Sequence, residues 1–308
     1  MKSITDHLKT GEMLLLDGGV STEIQLRGVS MNEKAWSGIA HKTNPDAVRQ
    51  VHEDYIQAGA QVITANTFST ARHVLESIGL GDEVKTINAD AVRLAKEARD
   101  NAATDDVWVA GSMSSMPPLK SLWDIPRDKK AAANYQELAE LLAEAGVDLI
   151  VTEMMMDSVN APLVIEAALS TGLPVWIGYS ITIADDGQVL SWRASSTNNV
   201  SPPDDFGTLV QTISALGGDA VGIMHSKVET TGPALEVLGQ HWSGPKLAYA
   251  ETGRLEAPDW VFEEICSPQA YVTEVKRWVD DYGVQIIGGC CGTGPEHIRL
   301  LKEQLFQD

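Results

Sequence analysis

Ala58-Gly59-Ala60-Gln61-Val62-Ile63-Thr64-Ala65-Asn66 joins the end of an amphipathic segment to a short apolar run that stops on an amide side chain. The glycine between small residues reads as a helix terminus, because glycine accepts the left-handed backbone that closes many helices. The apolar run that follows has the length of a buried strand. The same unit returns at Ala145-Gly146-Val147, ahead of Thr152-Glu153, and at Leu216-Gly217-Gly218, ahead of Met224-His225. Helix, glycine and apolar strand in repeated order predict β/α units and a parallel sheet.

Eight such units can be placed. Candidate strands fall at 13–16, 61–66, 107–111, 148–153, 174–180, 219–224, 246–251 and 284–288. Helical patterns fill 46–59, 82–100, 131–146, 158–171, 204–217, 232–241, 268–282 and 294–306. This predicts an α/β fold of one (β/α)8 TIM-type barrel, read as a single domain over 1–308, since such barrels commonly reach about 250 residues or more. A doubly wound open sheet is the alternative, but no glycine-rich dinucleotide fingerprint follows the first strand. Long polar loops at 112–128 and 185–203 follow the third and fifth strands. In a barrel they gather at the C-terminal mouth, where active sites are built.

A formal charge of -20 excludes nucleic acid and anionic membrane as natural partners. There is no apolar run of about 18 residues to span a bilayer, and the start of the chain lacks the apolar core of a secretory signal, so the expected location is the cytoplasm. Three cysteines make no disulfide framework, and two of them, Cys290 and Cys291, are adjacent. In a reducing compartment such a pair points to metal or thiol chemistry. Trp242, Trp260 and Trp278 can pack inside the barrel or at a subunit contact, which leaves homo-oligomerisation open.

Polar residues end the strands and would converge on one mouth: Asp17, Asn66, Glu153, His225, Glu251 and, after the eighth strand, Cys290 and Cys291. A catalytic zinc takes three protein ligands and keeps one position open. Cys290, Cys291 and His225 supply that number for Zn2+, and the open position suits a substrate sulfur held as a thiolate. The plainer readings are a packed strand end for the cysteines and a hydrogen-bonded structural histidine for His225. Asp17 and Glu153 suit a substrate ammonium, or else cap a neighbouring loop. Trp36 offers an apolar wall or simple core packing. Met154-Met155-Met156 either shapes a methyl-accepting cavity or fills irregular core space. Gly288, Gly289 and Gly292 hint at a phosphate cradle, without the lysine and serine a Walker motif requires.

The chain resembles the homocysteine S-methyltransferase family, including the homocysteine-binding module of cobalamin-dependent methionine synthase. The resemblance runs from Leu14 to about Leu301 and is carried by Leu16-Asp17-Gly18-Gly19 with Ser21-Thr22-Glu23, by Ala58-Gly59-Ala60 leading into Ile63-Thr64-Ala65-Asn66-Thr67-Phe68, and by Thr152-Glu153. Gly288-Gly289-Cys290-Cys291-Gly292-Thr293, with Pro295, Glu296, His297 and Ile298, is its most specific element. The resemblance implies a barrel whose zinc holds homocysteine sulfur for attack on an activated methyl group, giving methionine. It implies that Cys290 and Cys291 are ligands, that Asp17 and Glu153 surround the amino group, and that Trp36 and Asn66 belong to the substrate pocket. The methyl donor would be a sulfonium, a betaine or similar small molecule, with a corrinoid protein as a further candidate partner. A changed thiol acceptor and a noncatalytic ligand-binding relative are the alternatives.

Two departures stand out. The family usually carries Asn-Cys after the sixth strand, where this chain has Met224-His225. Zinc with two thiolates and a neutral imidazole is formally uncharged, whereas three thiolates give -1. The expectation is a stronger Lewis acid holding a less nucleophilic thiolate. Gly111-Ser112-Met113-Ser114-Ser115 replaces the usual Gly-Ser-x-Gly-Pro turn, which suggests a loop rebuilt for another donor or acceptor.

Overall fold

A computed structural model describes residues 3–115, 129–192, 203–256, 259–262 and 266–306. Eight parallel strands follow one another around a ring: Leu14–Leu15, Val62–Ala65, Trp108–Ser114, Leu149–Met155, Val175–Tyr179, Ala220–Lys227, Lys246–Glu251 and Ile286–Ile287. The first strand pairs with the eighth in parallel register, Leu14 opposite Ile286. The ring closes where Gln61 N donates to Leu15 O at 2.7 Å and Asp17 N donates to Val62 O at 2.9 Å. The architecture is the expected TIM-type (β/α)8 barrel.

Strand alternation accounts for two concentric cores. Trp108 and Ala110, Leu149 and Val151, and Trp176 belong to one buried cluster, while Val109, Ile150, Val175 and Ile177 belong to another. Successive side chains of a strand point to opposite faces, so the first cluster fills the lumen and the second packs under the helices. An N-terminal helix, Ile4–Lys9, sends Ile4 and Leu8 into the lumen cluster. It covers the barrel floor. The glycines that ended the predicted helices have positive φ, 106° at Gly59, 82° at Gly146 and 124° at Gly217, a conformation that costs glycine little.

Strand starts repeat a polar device. Asp148 Oδ2 accepts from Val109 N at 2.7 Å, and Asp219 Oδ2 accepts from Val175 N at 2.9 Å. Each carboxylate satisfies an amide of the preceding strand.

Boundaries shift where local signals mislead. The third strand continues to Ser114 and the sixth to Lys227, past the apolar runs that mark them in sequence. The helix expected at 232–241 is Val228–Gly239 and holds Pro233 inside it; a proline there reads as a start because it has no N–H to donate. Two short hairpins, Ile181–Ile183 with Val189–Ser191 and Arg254–Glu256 with Asp259–Val261, decorate the mouth and were not expected. Of the two long loops, 116–128 and 193–202 lie outside the described residues. Trp278 is buried beside Tyr271, Trp242 donates Nε1 to Pro245 O at 2.9 Å, and Trp260 lies at the mouth. All three pack within the chain.

Candidate metal centre at the barrel mouth

Cys290 and Cys291 sit in a tight turn after the eighth strand, and glycines let that turn lie against its neighbours. A Cβ on Gly289 would fall 1.9 Å from Thr293 Oγ1, and one on Gly19 would fall 2.8 Å from Cys290 O. The glycines therefore serve close packing, which replaces the phosphate-cradle reading. Cys290 N donates to Ala250 O at 3.0 Å, and Cys291 O accepts from Thr252 N and Gly253 N. The seventh strand thus holds the cysteine turn by its backbone.

His225 comes from the sixth strand with φ 40°. Its Nδ1 lies 3.5 Å from Cys290 Sγ and 3.7 Å from Cys291 Sγ, and the two sulfurs are 3.8 Å apart. These are the residues whose donor atoms group closely enough to hold a metal ion among the described residues. A tetrahedral ion bonded at about 2.3 Å to sulfur and about 2.05 Å to nitrogen, the distances zinc takes, separates two sulfurs by about 3.8 Å and sulfur from nitrogen by about 3.6 Å. The donor set fits such an ion with one corner left open.

Without an ion the cluster carries protons that a metal must displace. A hydrogen bond from Cys291 and the neighbouring His225 hold the Cys290 thiol well below its ordinary range, against burial; Cys291 is pushed well above it by its bond to Cys290 and by burial. Burial alone would lower His225, but Glu251 and Cys290 outweigh it and raise the imidazole to about 9. Glu251 Oε2 lies 3.2 Å from His225 Nδ1.

A cavity of about 1040 Å³ opens over this cluster and reaches Asp17, Glu153, Trp36 and Asn66. Asp17 is buried, with its carboxylate accepting from Thr64 N at 2.7 Å and Thr64 Oγ1 at 3.0 Å. Burial lifts it to about 8, against those two bonds. Glu153 accepts from Ser112 Oγ and, at 3.1 Å, from Tyr249 OH. Burial first, then the Cys290 charge, raise it to about 7. Two carboxyls destabilised in their ionised form, beside one another in a cavity, are placed to receive a cation.

Asn66 points its polar atoms elsewhere. Its Nδ2 donates to Ser37 O at 2.7 Å and its Oδ1 accepts from Ser37 Oγ at 2.8 Å, so its amide braces the turn that carries Trp36. Trp36 packs on Phe68 with ring centroids 5.8 Å apart. Met154 lines the cavity, whereas Met155 lies in the outer core. Trp36, Met154 and His225 are the non-glycine residues with positive φ among the described residues, and all three line this cavity. Such strain persists where the surroundings dictate a geometry, as at functional sites.

Several neighbours escaped the sequence reading. Tyr249 was available, being two residues before Glu251 on one strand and hence on the same face. Ser112 was taken as loop, and Trp260 sits in a hairpin with no periodic signature.

The family profile described as homocysteine S-methyltransferase matches residues 14–305. Betaine–homocysteine S-methyltransferase 1 of Bos taurus is 26% identical over 321 residues, covering 99% of this chain and 75% of that protein. Homocysteine S-methyltransferase 2 of Arabidopsis thaliana is 25% identical over 334 residues, covering 98% and 96%. The metallated form of the homocysteine methyltransferase MmuM from Escherichia coli superposes with a TM-score of 0.72 at 25% identity, covering 97% of this chain and 98% of that one.

Proposed function

The chain belongs to the homocysteine S-methyltransferase family, and from that premise we propose that it moves a methyl group from an activated donor to the sulfur of homocysteine, giving methionine, at a zinc held by His225, Cys290 and Cys291. The observation that carries this reading is the triangle of donor atoms, with edges of 3.5, 3.7 and 3.8 Å. When bound, zinc supplies the Lewis acidity that lets the acceptor thiol bind as a thiolate near neutral pH.

The protein's own residues do the positioning. Asp17 and Glu153 receive the acceptor ammonium, and ion pairing there favours the ionised carboxylates that burial disfavours. Trp36, braced through Ser37 by Asn66, walls the pocket on its apolar side. The sulfur then forms its new bond to the methyl carbon as the bond to the donor breaks, and the donor leaves as a neutral thioether or amine. A sulfonium or betaine-type donor has the reactivity this displacement needs, and orientation of the two reactants is the main source of acceleration.

Glu251 bears on the charge problem that His225 raises. Its Oε2 lies 3.2 Å from Nδ1, the same atom that would hold the ion, so the carboxylate bears on the centre through its nearby charge and not through a hydrogen bond to a ligating imidazole. A negative charge at that distance offsets part of what a third thiolate would have given. Residues 1–308 act as one homocysteine-binding barrel domain in this reading, working in the cytoplasm; no helix among the described residues is long and apolar enough to cross a membrane.

The test combines metal analysis, homocysteine titration and methyl transfer from sulfonium, betaine and methylcobalamin donors. Stoichiometric zinc, zinc-dependent homocysteine binding and methionine formation are expected. Folded protein that holds no zinc and binds no homocysteine would remove the basis of the reading.

A further inference from the structure

His225 differs mechanically from the two cysteines. A thiolate offers lone pairs all round its Cβ–Sγ axis, whereas an imidazole donates only in its ring plane, and rotation about its second side-chain torsion is broad. A ligating imidazole is ordinarily fixed by a hydrogen bond from its other nitrogen. Here the contacts to Cys290, Cys291 and Glu251 all converge on Nδ1, and among the described residues Nε2 has no hydrogen-bond partner.

Trp260 gives the imidazole a ring contact instead. Its ring lies 5.8 Å from the His225 ring at an interplanar angle of 89°, an edge-to-face contact that aromatic rings prefer. Trp260 is only 9% exposed and pairs with Leu255 across the hairpin that follows the seventh strand. That hairpin is attached at two points. At its root, Thr252 N and Gly253 N donate to Cys291 O at 2.8 and 3.0 Å. At its far strand, Gln25 Nε2 donates to Trp260 O at 3.0 Å and Trp260 N donates to Gln25 Oε1 at 2.9 Å. Gln25 sits on the helix Val20–Leu26 that follows the first strand. The hairpin is thus strapped across the mouth, tied to one ligand by its backbone and touching another with its indole.

We propose that Trp260, clamped by Gln25, is a positioning residue that sets the plane of the His225 imidazole, so that Nδ1 meets the ion shared with Cys290 and Cys291. This rests on the zinc reading above. It predicts a dependence that a cysteine ligand would not show, because a thiolate has no ring plane to set.

The test measures Zn2+ affinity by competition with a chromophoric chelator, and the visible absorption of the Co2+ form, for Trp260→Ala, Trp260→Phe and Gln25→Ala, each with His225 and with His225→Cys. Thermal unfolding of the metal-free proteins controls for folding. Trp260→Ala is expected to weaken Zn2+ binding about tenfold and to shift the Co2+ absorption, while Trp260→Phe, which keeps a ring edge against the imidazole, recovers most of both. With His225→Cys, the effect of Trp260→Ala should shrink to within about twofold, as for uncoupled sites. Gln25→Ala, which frees the hairpin but keeps the indole, should weaken binding less and again only with His225; it carries the test if Trp260→Ala does not fold. Undiminished Zn2+ affinity in both variants, or equal losses in the two backgrounds, would overturn the inference alone. Wild-type protein that binds no Zn2+ would overturn it together with the functional reading.

Discussion

Replacing Glu153 by glutamine should stabilise the metal-free protein and at the same time cost it the acceptor. Burial, with help from the Cys290 charge, raises Glu153 from the ordinary carboxylate value of 4.5 to about 7. The protonated form therefore favours the folded state. Its contribution to stability is fully present below about 4.5 and is lost as pH rises through 7. The full gap corresponds to about 3 kcal/mol, and screening through the cavity reduces this to about 1–3 kcal/mol at pH 8. Glutamine is nearly the same shape and carries no charge to desolvate, and the hydroxyls of Ser112 and Tyr249 can turn to meet its amide. Urea unfolding of reduced, metal-free protein between pH 5 and 8 should show wild type losing stability with pH more steeply than Glu153→Gln. Calorimetry on the zinc-loaded forms should show unchanged zinc binding and homocysteine affinity lowered about 10- to 100-fold, the weight of a charge-assisted hydrogen bond. A variant no more stable than wild type at pH 8, or one that binds homocysteine normally, would refute the reasoning.

Removing the imidazole tests the donor set. Structural zinc contributes about 10–16 kcal/mol over its ligands, so His225→Ala should weaken Zn2+ by about 10²–10³-fold in a chelator competition, and His225→Cys should restore it; unchanged affinity in His225→Ala would remove His225 from the site. His52 is fully buried with neither ring nitrogen partnered among the described residues, and burial lowers it to about 4. Its neutral form favours folding, so its contribution is present above about 6.5 and disappears as pH falls toward 4; His52→Leu should flatten that acid limb in denaturant titrations, and an unaltered limb would count against the assignment. Gly289→Ala places a Cβ 1.9 Å from Thr293 Oγ1. It should cost about 1–3 kcal/mol by overpacking and lower zinc content in the folded fraction, whereas wild-type melting and zinc content would contradict the packing role given to the glycines.

The barrel was legible because its repeating unit has a local cause. Gly59, Gly146 and Gly217 each take the left-handed backbone that ends a helix, and an apolar strand follows every one. The strand-end residues Asp17, Glu153, His225, Cys290 and Cys291 were legible for the same reason, since a parallel barrel delivers the ends of its strands to one mouth. Asn66 reaches the mouth as a strand-end residue, while the hydrogen bonds of its amide to Ser37 depend on a turn that no periodicity announces. Trp260 and Gln25 meet through two bonds between positions 235 apart in sequence. Only the closed barrel makes them neighbours. Glu251 Oε2 lies 3.2 Å from His225 Nδ1, and the sequence showed both residues without showing that they touch.

X-ray absorption at the zinc edge, recorded on zinc-loaded protein before and after adding homocysteine, tests the central claim most directly. The account predicts two sulfur neighbours with nitrogen and oxygen completing the sphere, and a third sulfur once homocysteine binds. A sulfur count that stays at two on saturation with homocysteine, or protein that retains no zinc, would contradict it.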